Sequence, residues 1–152
     1  MKLKIGDKAP EFKGVDENGK DILLTDFKGK KVILYFYPKD NTPGCTNEAC
    51  DLRDNYDMWI KKSYVIIGIS PDSTQSHLKF IDKHELPFPL ISDPEKVIIK
   101  SFGAWGPKKL YGREYEGLLR TTFVIDENGI ITNIFEKVKT KDHTNQILET
   151  LK

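Results

Sequence analysis

Cysteine is scarce in this chain: only Cys45 and Cys50 occur among 152 residues. Two cysteines cannot build the disulfide framework of a small secreted domain, and they cannot supply the four ligands of structural zinc. Long apolar runs are also missing. The longest, 32–37 and 64–69, fall far short of the roughly 18 residues that a membrane helix needs. The opening Met1-Lys2-Leu3-Lys4-Ile5-Gly6-Asp7 has no apolar stretch of the secretory kind, so a cytoplasmic chain with no membrane partner is expected. Charge of one sign is not in excess. Lys and Arg total 24, Asp and Glu 23, for a net charge of +1. A nucleic-acid binder usually carries a basic stripe, so no nucleic-acid partner is expected. His77, His84 and His143 show no zinc-type spacing to each other or to the cysteines. They read as surface or cap residues, and no metal or cofactor is expected.

Charged residues make up 31% and aromatics 11% of the chain, a globular composition. The length suits one domain over 1–152, and no repeat, linker or low-complexity stretch interrupts it. Asn18-Gly19, between 12–15 and 21–24, predicts a β-hairpin. Val32-Ile33-Leu34-Tyr35-Phe36-Tyr37 reads as a buried central strand ended by Pro38. Ala49, Leu52, Tyr56 and Trp59 or Ile60 recur at helical spacing, which predicts a helix from Pro43 or Thr46 to about Lys62. Residues 64–70 form a second buried strand. Pro71-Asp72-Ser73 offers capping chemistry for the next helix. Residues 87–91 read as extended, and Ser92-Asp93-Pro94-Glu95 starts a short helix with Pro at its first position.

Residues 103–117, with four glycines and one proline, read as a loop in which Trp105, Tyr111 and Tyr115 pack or form a collar on a site. A hairpin follows, with strands at 120–126 and 130–136 around Asn128-Gly129. Asp142 is placed to cap a final helix. A right-handed βαβ crossover sets the two buried strands parallel, and the last hairpin adds antiparallel strands. The expected fold is α/β and thioredoxin-like: a mixed central sheet flanked by helices, with an N-terminal β-hairpin elaboration.

Chemistry concentrates at Cys45. A free thiol titrates near 8.5, so only about 3% is thiolate at pH 7. A helix N-terminus and a nearby cation favour the anion. The strand, the Pro43-Gly44 turn and a helix opening on Cys45 provide the first of these. Thr42 adds a hydroxyl that can donate to or accept from an oxygen substrate. A buried cysteine is commonly an inert small residue, but this context favours reactivity. If Cys45 and Cys50 share one helix, their Cα atoms lie about 8.6 Å apart. A disulfide rarely spans more than about 7 Å, so bonding between them requires the helix to unwind. The residues alone leave three functions open: a peroxidase, a protein-disulfide oxidoreductase, and a non-enzymatic redox-sensing or binding module. The C-x4-C spacing differs from the C-x-x-C usual for the second.

Pro38, Thr42 and Cys45 match the PxxxTxxC signature of the peroxiredoxins. The stretch Thr42-Pro43-Gly44-Cys45-Thr46-Asn47-Glu48-Ala49-Cys50 resembles the Q-type subfamily, also called bacterioferritin co-migratory protein. Arg120-Thr121-Thr122-Phe123-Val124-Ile125-Asp126 resembles that family's second motif, and Gly6-Asp7-Lys8-Ala9-Pro10-Glu11-Phe12 its start. The resemblance implies a thiol-dependent peroxidase for hydrogen peroxide and organic hydroperoxides. It makes Cys45 the peroxidatic nucleophile, with Thr42 and Arg120 binding the peroxide and Pro38 shielding the site. Backbone N–H groups of Gly44 and Cys45 would be further donors. Cys50 would resolve the sulfenic acid as an intramolecular disulfide, reduced by a thioredoxin-type thiol donor. The resemblance also implies a monomer, or at most a weak dimer.

Overall fold

The computed structural model describes residues 2–151. Its central strand is β3 (Lys31–Phe36), whose β-branched and aromatic side chains are buried on both faces. β3 pairs in parallel with β4 (Tyr64–Ser70) and antiparallel with β8 (Thr121–Ile125). β5 (Leu90–Ser92) adds in parallel beyond β4, and β9 (Ile131–Phe135) antiparallel beyond β8. β1 (Lys13–Val15) and β2 (Asp21–Leu23) form the expected N-terminal hairpin, joined to the sheet where Val15 meets Ser92. Gly19 turns that hairpin at φ +76°, a conformation costly for other residues. The result is a mixed seven-stranded sheet of order β2-β1-β5-β4-β3-β8-β9. With helices packed against it, this is the thioredoxin-like arrangement.

Alternation along β3 divides the core in two. Val32, Leu34 and Phe36 face one cluster with Ile67, Ile69, Ile99, Phe102 and Phe123. Ile33, Tyr35 and Tyr37 face the other, with Cys45, Leu52, Trp59, Phe80 and Ile147. This second face is covered by α1 (Pro43–Asp54), α2 (Tyr56–Lys61), α3 (Thr74–His84) and α5 (His143–Thr150). α4 (Val97–Ser101) packs on the first. Tyr35 lies opposite Gly68 on β4, and a Cβ at Gly68 would meet the Tyr35 ring at 2.8 Å. Only glycine lets that ring lie flat on the neighbouring strand.

Several expectations are corrected. The long helix is broken at Asn55, whose side chain donates to the Asp51 carbonyl and competes with the helical ladder. Residues 103–117 are not a loop. They hold β6 (Trp105–Leu110) and β7 (Arg113–Leu118), a separate two-stranded ribbon turned by Tyr111-Gly112. Trp105 packs against the first core cluster, while Tyr111 is 98% exposed at the turn. The short helix begins at Val97 rather than Pro94, because the Asp93 carboxylate accepts from the N–H groups of Val97 and Ile99. Ser73 caps α3 by accepting from the Ser76 N–H, as its position suggested. Asp142 stands at the N-cap of α5 but its side chain makes no capping bond there.

Candidate active site

Topology brings the two halves of the site together. β3 and β8 run antiparallel, with Phe36 opposite Thr121. The loop leaving the end of β3 therefore lies beside Arg120, the residue just before β8. Pro38, half-buried, opens that loop and Thr42 ends it as the N-cap of α1. The Thr42 hydroxyl donates to the Lys39 carbonyl at 2.8 Å and makes no capping bond. The first-turn N–H groups of Gly44 and Cys45, which have no intrahelical partner by helix geometry, are thus left for another acceptor.

Cys45 is the third residue of α1 and only 1% exposed. Arg120 Nη2 donates to its Sγ at 3.2 Å, and Nη1 donates to Glu48 Oε1 at 2.7 Å. Gly44 keeps space for the guanidinium: a Cβ there would lie 3.3 Å from Nη2. Burial works against the Arg120 charge. Glu48 and Cys45 outweigh it, so the guanidinium titrates above its ordinary range.

Glu48 itself has no exposed surface, and burial raises its carboxyl to about 7 despite the pull of Arg120. Its Oε2 has no hydrogen-bond partner among the described residues; His143 Nε2 stands 3.6 Å away, too far for one. That contact is not an ion pair, since burial pushes His143 below its usual value and keeps it neutral. His143 is held by Thr122 at 2.8 Å on Nε2 and by Gln146 at 2.9 Å on Nδ1.

A second buried network anchors the loop upstream of Cys45. The Asp40 carboxylate takes His77 Nδ1 at 2.7 Å and the Ser76 hydroxyl at 2.8 Å. It also takes the Tyr37 hydroxyl, and its own N–H donates to Asp72 at 2.7 Å. His77 Nε2 faces the Ile91 carbonyl at 3.0 Å, so both ring nitrogens are engaged. Asp40, Asp72 and His77 converge closely enough for a cation. Their facing atoms are already engaged with one another and with Ser70 and Ser76, so the cluster reads as a structural clamp.

Cys50 lies half-buried on the same helix as Cys45, and both thiols are free. Its Sγ sits 3.9 Å from His84 Nδ1 at the end of α3. The helix is fixed just beyond it. Asp51 accepts from the Thr144 N–H at 2.7 Å, and Arg53 Nη1 donates to the His84 carbonyl at 2.7 Å.

Two of the three histidines, His77 and His143, depart from the surface or cap placement expected of them, while His84 closes α3. His77 and His143 are fully buried and His84 partly so. Glu48, Asp40 and the histidines were not singled out by sequence. Glu48 had a usable signal, since its i+3 spacing places it on the same helix side as Cys45.

The pattern of the AhpC/TSA family matches residues 5–134. Peroxiredoxin Bcp of Bacillus subtilis is 48% identical over 152 residues, covering 100% of this chain and 97% of the relative. Peroxiredoxin Bcp of Escherichia coli is 43% identical, covering 99% and 96%. Among solved structures, peroxiredoxin Q of Xanthomonas campestris superposes with a TM-score of 0.86 at 33% identity, covering 92% of this chain and 89% of that one. A cysteine-to-serine variant of Xylella fastidiosa PrxQ gives 0.92 at 29%, covering 99% and 96%. Among the described residues, no helix is long and apolar enough to cross a membrane.

Proposed function

Because this chain belongs to the AhpC/TSA family, in its Bcp or peroxiredoxin Q group, we propose that it reduces peroxides through Cys45 and Cys50. It is a thiol peroxidase of that type. The Cys45 thiolate attacks a peroxide oxygen. An S–O bond forms, the O–O bond breaks, and the departing alkoxide or hydroxide takes up a proton. Negative charge grows on the leaving oxygen, where Arg120 and the N–H groups of Gly44 and Cys45 are ready donors, while the Thr42 hydroxyl, its proton given to the Lys39 carbonyl, can accept from the peroxide O–H. Pro38 limits water at the loop. Cys50 then displaces hydroxide from the sulfenic acid to form the Cys45–Cys50 disulfide, and a thioredoxin-type donor restores both thiols by exchange.

The observation that carries this reading is the 3.2 Å contact from Arg120 Nη2 to Cys45 Sγ at the first turn of α1. Thiolate stabilisation and peroxide polarisation then share one cation. The disulfide-oxidoreductase alternative fits less well. A cysteine 1% exposed admits a small hydroperoxide far more readily than a protein disulfide.

Stopped-flow titration of the reduced protein with hydrogen peroxide, followed by intact-mass analysis, tests the proposal. One equivalent should be consumed rapidly and a species 2 Da lighter should follow. Cys45→Ser should consume none in the presence of a thiol reductant, and sustained turnover in that variant would overturn the reading.

A further inference from the structure

We propose that His84 is the general base of the resolving step, accepting the Cys50 thiol proton on Nδ1. The inference rests on the reading of Cys50 as the resolving cysteine. Its geometric basis is the 3.9 Å contact between His84 Nδ1 and Cys50 Sγ, within reach for a sulfur hydrogen bond. A cysteine and an imidazole so placed, with the base held by a third group, form the usual arrangement for activating a thiol. The third group here is Arg53, which pins the His84 backbone by donating to its carbonyl at 2.7 Å. The imidazole also packs edge-on against Phe80, one helical turn earlier, with ring centroids 5.3 Å apart.

The state of the ring fits the role. A helix C-terminus would favour a charged imidazole, but burial opposes it and the cations Lys83 and Arg53 add to that opposition. His84 therefore titrates below its usual value and is a free base at neutral pH. The charged and titratable groups around it are Cys50 and Arg53 from α1, the latter paired with Asp54, and its chain neighbours Lys83 and Glu85. Nε2 is buried with no partner among the described residues. A residue there only to pack would leave an orphaned polar atom, a cost that an apolar side chain avoids.

The helix geometry decides which cysteine moves. Asp51 and Arg53 tie α1 to α5 and α3 immediately after Cys50. Unwinding of the preceding turns thus carries Cys45 toward Cys50, while Cys50 stays beside its base. The Cys50 S–H bond breaks as Nδ1 takes the proton. The new thiolate attacks the Cys45 sulfur, the S–S bond forms and the S–O bond breaks. The Cys50 sulfur is oxidised and the Cys45 sulfur reduced to the disulfide level. Hydroxide leaves and recovers one proton, by way of solvent, from the imidazolium to give water.

Single-turnover mixing with one equivalent of hydrogen peroxide, quenched at intervals and read by intact mass after thiol blocking, separates sulfenic acid from disulfide. At pH 7 disulfide formation should slow about tenfold or more in His84→Asn and His84→Gln. Sulfenic-acid formation, in which His84 has no part, should change less than twofold. The variants' resolving rate should also rise more steeply with pH than that of the wild type. A disulfide that forms at wild-type speed with a parallel pH dependence removes the role of His84 alone. Absence of any intramolecular disulfide in the wild type removes the resolving reading and His84 with it. A measurement free of His84 substitution uses the Cys45→Ser protein. Alkylation of Cys50 by iodoacetamide should fall, on acidification, through the pH at which the His84 ring signal titrates by NMR; a rate indifferent to that titration overturns the proposal.

Discussion

Arg120 Nη1 and Glu48 Oε1 lie 2.7 Å apart, and the carboxyl belongs to a side chain with no exposed surface. The same guanidinium reaches Cys45 Sγ, so two acidic groups share one cation. Desolvation is the larger influence on Glu48, and its carboxyl stands near 7 rather than in the usual carboxylate range. An acid whose folded value is raised binds its proton more tightly when folded. Its contribution to stability is greatest below the unfolded value near 4.5, shrinks as pH rises toward 7, and is lost above that. Glu48→Gln should therefore gain stability relative to the wild type between pH 5 and pH 8, by on the order of 2–3 kcal/mol. Urea unfolding of both proteins at the two pH values checks this; an unchanged difference would place the carboxylate in a solvated setting.

Arg120→Lys keeps the positive charge but not the fork that serves Sγ and Glu48 together. The peroxide-consuming step should slow by about tenfold in Arg120→Lys and by about a hundredfold or more in Arg120→Ala. Stopped-flow rates under pseudo-first-order peroxide report both. Equal rates in all three proteins would mean that Arg120 acts on neither thiolate nor peroxide.

His77→Phe breaks the buried His77–Asp40 pair from one side and leaves the carboxylate only the Tyr37 and Ser76 hydroxyls. Breaking such a pair from one side costs about 3–5 kcal/mol. Denaturant unfolding should show a loss of that order, and a change below about 1 kcal/mol would mean that the clamp is slack.

The first turns of α1 should open more easily than the strands beneath them. They start from a Pro-Gly pair, lack a side-chain cap, and follow Asn41 at φ +65°. Amide exchange in the reduced protein should be faster across 43–50 than across β3 or β4, and oxidation should accelerate it further. Identical protection in the two redox states would contradict the unwinding step. Cys50→Ser should still react once with peroxide, stop at the sulfenic acid, and keep the reduced exchange pattern.

Local signals in the sequence were strong where the residue pattern and the environment coincide. The run from Val32 to Tyr37 is apolar because both faces of that strand are covered, and the Asn18-Gly19 turn needs a residue at positive φ. The ribbon at 105–118 was not legible. It stands apart from the main sheet, with Arg113, Glu114 and Glu116 exposed, so no apolar alternation marks it. The start of α4 was misplaced because Asp93 caps from four and six residues away, beyond the reach of a Ser-Asp-Pro-Glu rule. Sequence spacing hides the partners of the histidines, which lie 37, 34 and 21 residues away: Asp40, Cys50 and Thr122. Of the site, Cys45, Thr42 and Arg120 were visible through the motif. Glu48 sat inside the same motif, but its burial and its hold on Arg120 emerge only when β8 is laid against β3.

The Asp40 clamp on one side and the Asp51 and Arg53 ties on the other leave a span of about ten residues free between two fixed posts. A loop of that length with tethered ends closes in roughly 10–100 ns, and helix growth along it takes nanoseconds per residue. The entropy released when it opens is bounded in the same way, since neither end can wander. Resetting the helix after reduction is thus a local snap-back, many orders of magnitude faster than thiol exchange with a second protein. In the proposed cycle the refolding of this span would add little delay, and the chemistry at Cys45 and Cys50 would set the pace.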